Sequence, residues 1–167
     1  MKEIMNKEQL SRTLKRMTHE MIERNSNLND IVLIGILKKG YPIAQMLQEN
    51  FKRFADIEVP CFPLDIHPYR DDVDQKDVAN LQGLTIHKKN VILVDDVLFT
   101  GRSVRAAMDA LNDHGRPNQI QLAILIDRGH RELPIRADYI GKNIPTSANE
   151  RILVDLNEQT VFIIEND

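Results

Sequence analysis

Residues 91–103, Val-Ile-Leu-Val-Asp-Asp-Val-Leu-Phe-Thr-Gly-Arg-Ser, constrain this chain more than any other stretch. Four apolar residues in succession, Val91 to Val94, predict a short buried strand. Asp95 and Asp96 follow at the point where such a strand emerges. Thr100-Gly101-Arg102-Ser103 then forms a small-residue turn, and beyond it Val104, Ala107, Met108 and Leu111 recur on one helical stripe. A turn that feeds a helix N-terminus aims backbone N–H groups at one spot, which suits a phosphate. Two carboxylates beside that spot suit the 2′- and 3′-hydroxyls of a ribose, with Mg²⁺ nearby. A plain α/β crossover ending in two acids is the simpler alternative, but order and spacing favour the ligand.

The flanking segments follow the same alternation. Leu10, Leu14, Met17 and Met21 predict a helix over residues 7–24, whose opposite face collects Arg12, Lys15, Arg16, His19 and Glu23. Ile31–Ile36 is a buried strand with a tight exit through Gly35 and Leu37-Lys38-Lys39-Gly40. A second helix runs from Tyr41 to about Phe51, with Pro42 in its first turn and Ile43, Met46, Leu47 and Phe51 inward. Residues 57–66 read as a strand region broken by Pro60 and Pro63. The polar stretch 67–90 is too long to be mere filler in a compact domain. After the helix that follows the acids come the strand Ile120–Ile126 and short strands near Ala137–Ile140, Arg151–Leu156 and Val161–Ile164. Strands alternating with helices imply a parallel sheet with helices on both faces, and ligands bind at the carboxyl ends of its strands. Residues 1–167 read as a single domain.

Composition sets the compartment and hides two local biases. Apolar residues make up 42% of the chain and charged residues 28%, as in an ordinary globular domain. No apolar run could span a membrane, and the opening MKEIMNKEQL is too polar for a signal peptide, so a cytoplasmic protein is expected. The single cysteine, Cys61, is expected to pack in the core. Net charge is −3. Within that acidic total, residues 1–24 carry Lys2, Lys7, Arg12, Lys15, Arg16 and Arg24 against Glu3, Glu8, Glu20 and Glu23. Residues 128–142 carry Arg128, Arg131, Arg136 and Lys142 against Glu132 and Asp138. Both segments are locally basic.

The stretch 91–103 resembles the phosphoribosyl-pyrophosphate (PRPP) motif of the type I phosphoribosyltransferases. That resemblance implies an α/β fold with a small hood region and an enzyme in which a nitrogen base displaces diphosphate from PRPP. Asp95 and Asp96 would be catalytic, holding the ribose hydroxyls and, indirectly, the substrate's Mg²⁺. Thr100, Gly101, Arg102 and Ser103 would hold the 5′-phosphate, with Val97, Leu98 and Phe99 completing the nucleotide-binding stretch, Val97 and Leu98 more through packing than contact. Lys38, Lys39 and Gly40 occupy the place of the family's diphosphate loop. Arg70, in Tyr69-Arg70-Asp71-Asp72, is a catalytic candidate as the diphosphate's bidentate partner on a closing flap. Purine-using relatives commonly carry an aspartate just before the Thr-Gly pair. Phe99 stands there instead and cannot exchange a proton, which favours a pyrimidine over the alternative of purine salvage without RNA binding.

A narrower resemblance covers nearly the whole chain. Residues 127–134 (DRGHRELP), 100–111, 115–125 and 135–147, with HEMIERN at 19–25, resemble the pyrimidine-operon attenuation proteins that are also uracil phosphoribosyltransferases. The resemblance implies PRPP, uracil and UMP or UTP as ligands, Arg128 among the nucleotide contacts, and pyrimidine-operon leader mRNA as partner. Its RNA-contacting positions match Arg16, His19, Arg131, Arg136 and Lys142, which lie in the two basic segments. It also implies a homodimer or homohexamer. Lys15 departs from the family's usual threonine, and Leu37-Lys38-Lys39-Gly40 departs from the arginine many members carry before the glycine.

Overall fold

The computed structural model describes residues 1–69 and 86–166. Element order is β1 (Lys2–Met5), α1 (Lys7–Arg24), β2 (Ile31–Ile36), α2 (Gly40–Ala55), β3 (Cys61–Leu64), β4 (Asn90–Leu98), α3 (Arg102–Asn112), β5 (Gln119–Asp127), β6 (Tyr139–Asn143), β7 (Glu150–Asp155) and β8 (Thr160–Glu165). Five of these strands form a parallel sheet in the order β3-β2-β4-β5-β6. The expected α/β architecture is therefore present. Pro63 sits on the edge strand β3, where a missing N–H is tolerated.

Alternate residues of the central strands bury on opposite faces, which explains why their sequences are apolar throughout. Ile34, Ile36, Val91, Leu93, Leu122 and Ile124 pack with Val104, Ala107 and Leu111 of α3. Ile31, Leu33, Ile92, Val94, Ala123 and Leu125 pack with Leu10, Leu14 and Met17 of α1 and Ile43, Leu47 and Phe51 of α2. Cys61 lies half-buried against this second cluster, where burial pushes its thiol up to about 11. α1 is closed at its start by Asn6, whose side chain accepts from the Gln9 N–H while the Gln9 side chain accepts from the Asn6 N–H.

Three features differ from the sequence expectations. β4 continues through Leu98, so Asp95 and Asp96 lie inside a strand instead of just past its end. On the β5 side pairing runs on to Leu98↔Asp127, whereas on the β2 side it stops at Gly35↔Val94. The acids are thus held by one neighbour and open toward the other. α2 is longer than expected at both ends, and its last turn carries Lys52 and Arg53. Finally, β7 and β8 form a three-stranded antiparallel sheet with the N-terminal β1, in the order β1-β8-β7. Only Met5 of β1 is buried, so its four residues carry too weak an alternation to be recognised alone.

Candidate active site

The chain passes from β2 through α2 to β3 on one side, then places β4 on β2's other edge. Connections leaving β2 and β4 therefore diverge, α2 to one face and α3 to the other. A crevice opens at such a reversal in strand order. Here it is a cleft of about 600 Å³, lined by Ile36, Leu37, Lys38 and Lys39 after β2, by Asp65, Ile66 and His67 after β3, and by Asp95, Asp96, Val97 and Ser103.

Two glycines bring its walls together. A Cβ on Gly35 would stand 2.3 Å from the Tyr41 Cα, and one on Gly40 would stand 2.3 Å from the Val94 carbonyl oxygen. Any side chain there would push the 37–40 turn away from the acids. The Leu37–Lys38 peptide is cis. Lys38 is exposed, while half-buried Lys39 donates from Nζ to the Val154 carbonyl at 2.7 Å, so its charge is tethered to β7.

The carboxylates are unequal. Burial, then the charge of Asp96, holds Asp95 well above the ordinary carboxylate range, although its Oδ1 accepts from the Asp96 N–H at 2.9 Å. Two adjacent acids at the mouth of a cleft fit hydroxyl donors or a divalent cation, either of which relieves their repulsion. Among the described residues no group of three or more His, Cys, Asp or Glu side chains converges as a metal site. The donor set therefore suits an ion shared with a substrate's phosphates, not a caged one.

The turn after β4 is shaped by Gly101, at φ +95°, a left-handed conformation that favours glycine. α3 begins directly behind it. The Arg102 N–H donates to Thr100 Oγ1 at 3.3 Å, and the Arg102 side chain pairs with Glu132 at 3.0 Å. The Thr100 carbonyl accepts from the Glu132 and Leu133 N–H groups, so the segment after β5 is laced onto the turn. Leu98 is buried in the core, as expected of a packing residue, whereas half-buried Val97 also lines the cleft.

Phe99 is 40% exposed. Its ring lies 4.0 Å below the Arg128 guanidinium, and the His130 ring meets it edge-on at 5.6 Å. Arg128 is itself buried, donating from Nε to Thr146 Oγ1 at 2.9 Å and from a terminal nitrogen to the Glu150 carbonyl. Burial holds that guanidinium below its ordinary range. His130, at φ +64°, meets the Thr146 carbonyl through Nε2. A flat aromatic capped by a buried cation thus stands just before the Thr100-Gly101 pair. Asp65 and His67 were not singled out from the sequence; a carboxylate just past a strand end was the available signal for Asp65. Arg70 lies outside the described residues.

The RNA candidates fall into two groups. Arg16 donates to the Ile140 and Gly141 carbonyls of β6 at 3.1 and 2.7 Å while pairing with Glu20, so α1 and β6 meet directly. Exposed His19 shares that helix. Exposed Lys142 lines a groove of about 230 Å³ with Arg12 and Thr13. Arg131 is held instead by Asp127 at the end of β5, 3.5 Å away, and Arg136 is exposed in the segment leading to β6.

Fold and cleft together define a phosphoribosyltransferase, and the chain belongs to the phosphoribosyl transferase domain family, whose model matches residues 1–159. Among curated relatives it is 54% identical to the Bifunctional protein pyrR of Enterococcus faecalis over 162 residues, 95% of this chain and 91% of that one. It is 49% identical to the Bifunctional protein PyrR of Herpetosiphon aurantiacus over 99% of this chain and 98% of that protein. The hypoxanthine phosphoribosyltransferase of Trypanosoma cruzi, solved with its product IMP, shares the fold at TM-score 0.75 and 18% identity, covering 99% of this chain and 90% of that one. A hypoxanthine-guanine phosphoribosyltransferase from Bacillus anthracis does so at TM-score 0.75 and 23% identity, covering 98% of each.

Proposed function

We propose that the protein is a uridine-nucleotide-sensing regulator that binds leader mRNA and attenuates transcription of the pyrimidine operon. In this reading it also has uracil phosphoribosyltransferase activity, converting uracil and PRPP to UMP and diphosphate. Half-identity to proteins named Bifunctional protein PyrR over almost the whole chain supports both halves of the reading. The observation that carries the choice of base is Phe99 beneath Arg128, beside the paired carboxylates.

Mechanistically, the uracil ring nitrogen forms a bond to C1 of the ribose as the bond from C1 to the diphosphate oxygen breaks, and the proton on that nitrogen leaves to the departing diphosphate or to solvent. The transition state resembles an oxocarbenium ion, so positioning and charge dominate. Asp95 and Asp96 accept the ribose hydroxyls and place carboxylate charge near the developing cation. Gly101 and Ser103 offer backbone N–H groups at the start of α3 to the 5′-phosphate, the Arg102 N–H joins them by exchanging its bond to Thr100 Oγ1, and the Thr100 and Ser103 hydroxyls stand beside them. Lys38, the exposed cation of the 37–40 turn, meets the diphosphate, and Gly40 keeps that turn close. Mg²⁺ bound with PRPP would neutralise diphosphate charge, held through the substrate and the two aspartates. Phe99 and Arg128 offer a stacking wall to the base.

Arg16, His19, Arg131, Arg136 and Lys142 are the proposed RNA contacts. The protein works in the cytoplasm, where PRPP and nascent mRNA meet, as a single-domain protomer of a homodimer or homohexamer. A steady-state assay comparing uracil, hypoxanthine and guanine, with a leader-RNA gel shift in the presence and absence of UMP, tests the whole reading. Uracil alone should be used and UMP should tighten RNA binding. Faster synthesis of inosine or guanosine monophosphate than of UMP would overturn the pyrimidine assignment.

A further inference from the structure

The exposed ridge of α1 meets a neighbour on each side. Toward β6 it sends Arg16. Toward α2 it sends Lys15 and His19, one helical turn apart, and both reach Phe54 in the last turn of α2. Lys15 Nζ stands 5.1 Å from the centre of the phenyl ring, and the His19 ring lies 5.1 Å away at 43°. Arg53 approaches the same ring at 5.9 Å. The core side of α2 is already occupied by Ile43, Ala44, Leu47 and Phe51. Phe54 is only half-buried and belongs to neither core cluster.

The charges around this ring are not spent on carboxylates. Neighbouring Lys52 is paired with Asp56 and Glu58, whereas Lys15 and Arg53 make no ion pair among the described residues. An apolar protein partner would have to strip water from those cations without compensation. An acidic peptide would use the cations and leave the ring idle. Single-stranded RNA uses both, with phosphates against the cations and an unstacked base against the ring.

We infer that Phe54, flanked by Lys15, His19 and Arg53, is a base-stacking platform that carries the RNA footprint from α1 onto α2. This rests on the RNA-binding reading above and adds to it residues outside the two basic segments. Stacking is tolerant of base identity, so the platform anchors a loop nucleotide instead of reading it.

The test is a gel shift of full-length protein with a transcript of its own pyrimidine-operon leader, at saturating UMP and several salt concentrations. Phe54→Leu keeps apolar volume but removes the π face. Affinity should fall roughly five- to a hundredfold with an unchanged salt slope. Phe54→Trp should match or exceed wild type. Arg53→Gln should weaken binding and make the salt slope shallower by about one. Wild-type affinity in Phe54→Leu, alongside loss in Arg16→Gln, overturns the platform and leaves the RNA reading standing. No RNA binding by the wild type, or none lost in either variant, overturns both. Should thermal melting show that Phe54→Leu is unfolded, cross-linking of wild type to leader RNA carrying 5-iodouridine decides. A nucleotide attached at Phe54 supports the platform, and attachment confined to α1 and β6 overturns it.

Discussion

The cleft at the carboxyl end of the parallel sheet and the basic ridge around α1 are both polar surfaces of one small domain, built on opposite electrostatic terms. In the cleft, Asp95 and Asp96 are neighbours in the chain, with Asp95 Oδ1 accepting from the Asp96 N–H, so like charges stand together and burial withdraws one from water. On the ridge, the ion pairs are exposed and opposite in sign, Arg16 with Glu20 and Arg24 with Asp138. Exposed pairs of that kind contribute at most about 1 kcal/mol each and let side chains reorient. In the proposed function the first surface would take one small ligand that relieves its repulsion, and the second a long flexible one.

The sharpest break between them should come from Asp96→Asn. UMP synthesis should fall below roughly 1% of wild type, since a charge next to the reacting carbon is lost, while leader-RNA affinity stays within a few-fold. Steady-state kinetics and gel shifts on the same preparation check this; wild-type turnover would remove Asp96 from the site.

A matched pair of glycine variants should separate the surfaces at the backbone. Gly40→Ala places a Cβ 2.3 Å from the Val94 oxygen, and Gly141→Ala places one 2.3 Å from the Leu125 oxygen and 3.0 Å from Thr13 Cγ2. Each should cost about 1–3 kcal/mol in denaturant unfolding. Gly40→Ala should mainly raise KM for PRPP, whereas Gly141→Ala, which pries α1 from β6, should mainly weaken RNA binding. The same profile in both would mean that the surfaces are not independent.

Arg136→Gln should weaken RNA binding by roughly 1–3 kcal/mol if it reads a base, and less with a shallower salt slope if it meets phosphate. Uracil transfer should hold within a few-fold. Unchanged RNA affinity would take Arg136 off the surface.

The smallest expected effect is a gain. The Asp95 carboxyl is raised from 3.8 by burial and by Asp96, so the folded chain keeps that proton at pH values where the unfolded chain has released it. Stability is therefore lost as pH rises from about 3.8 through the folded value. Asp95→Asn avoids the loss. Its Tm should equal that of wild type in strong acid and exceed it at neutral pH; a lower Tm at neutral pH would show that the charge is already compensated.

What was legible in the sequence follows the same division. Val91–Val94, the two acids and Thr100–Ser103 are adjacent in the chain, so strand, carboxylates and turn could be read together, with Phe99 among them. Charged residues usually stop a buried strand, so the sequence alone puts the acids at the strand's end. β4 instead continues through them, since β5 goes on supplying hydrogen bonds after β2 has stopped. Arg128 was readable as a residue but not as a lid over Phe99, which depends on Thr146 and Glu150 far along the chain.

By itself the sequence determined the period-driven elements, the two-faced parallel sheet and the grouping of carboxylates, aromatic and turn in residues 95–103, because these depend on neighbours in the chain. Tertiary structure alone decided which edge of β4 is open, that β1 closes a second sheet with β7 and β8, and that Arg16 reaches Gly141. It also brought Lys15, His19 and Phe54 into one cluster. Such pairings depend on strand order and helix placement, which are selected by burial of the whole core and leave no mark at fixed spacing along the chain.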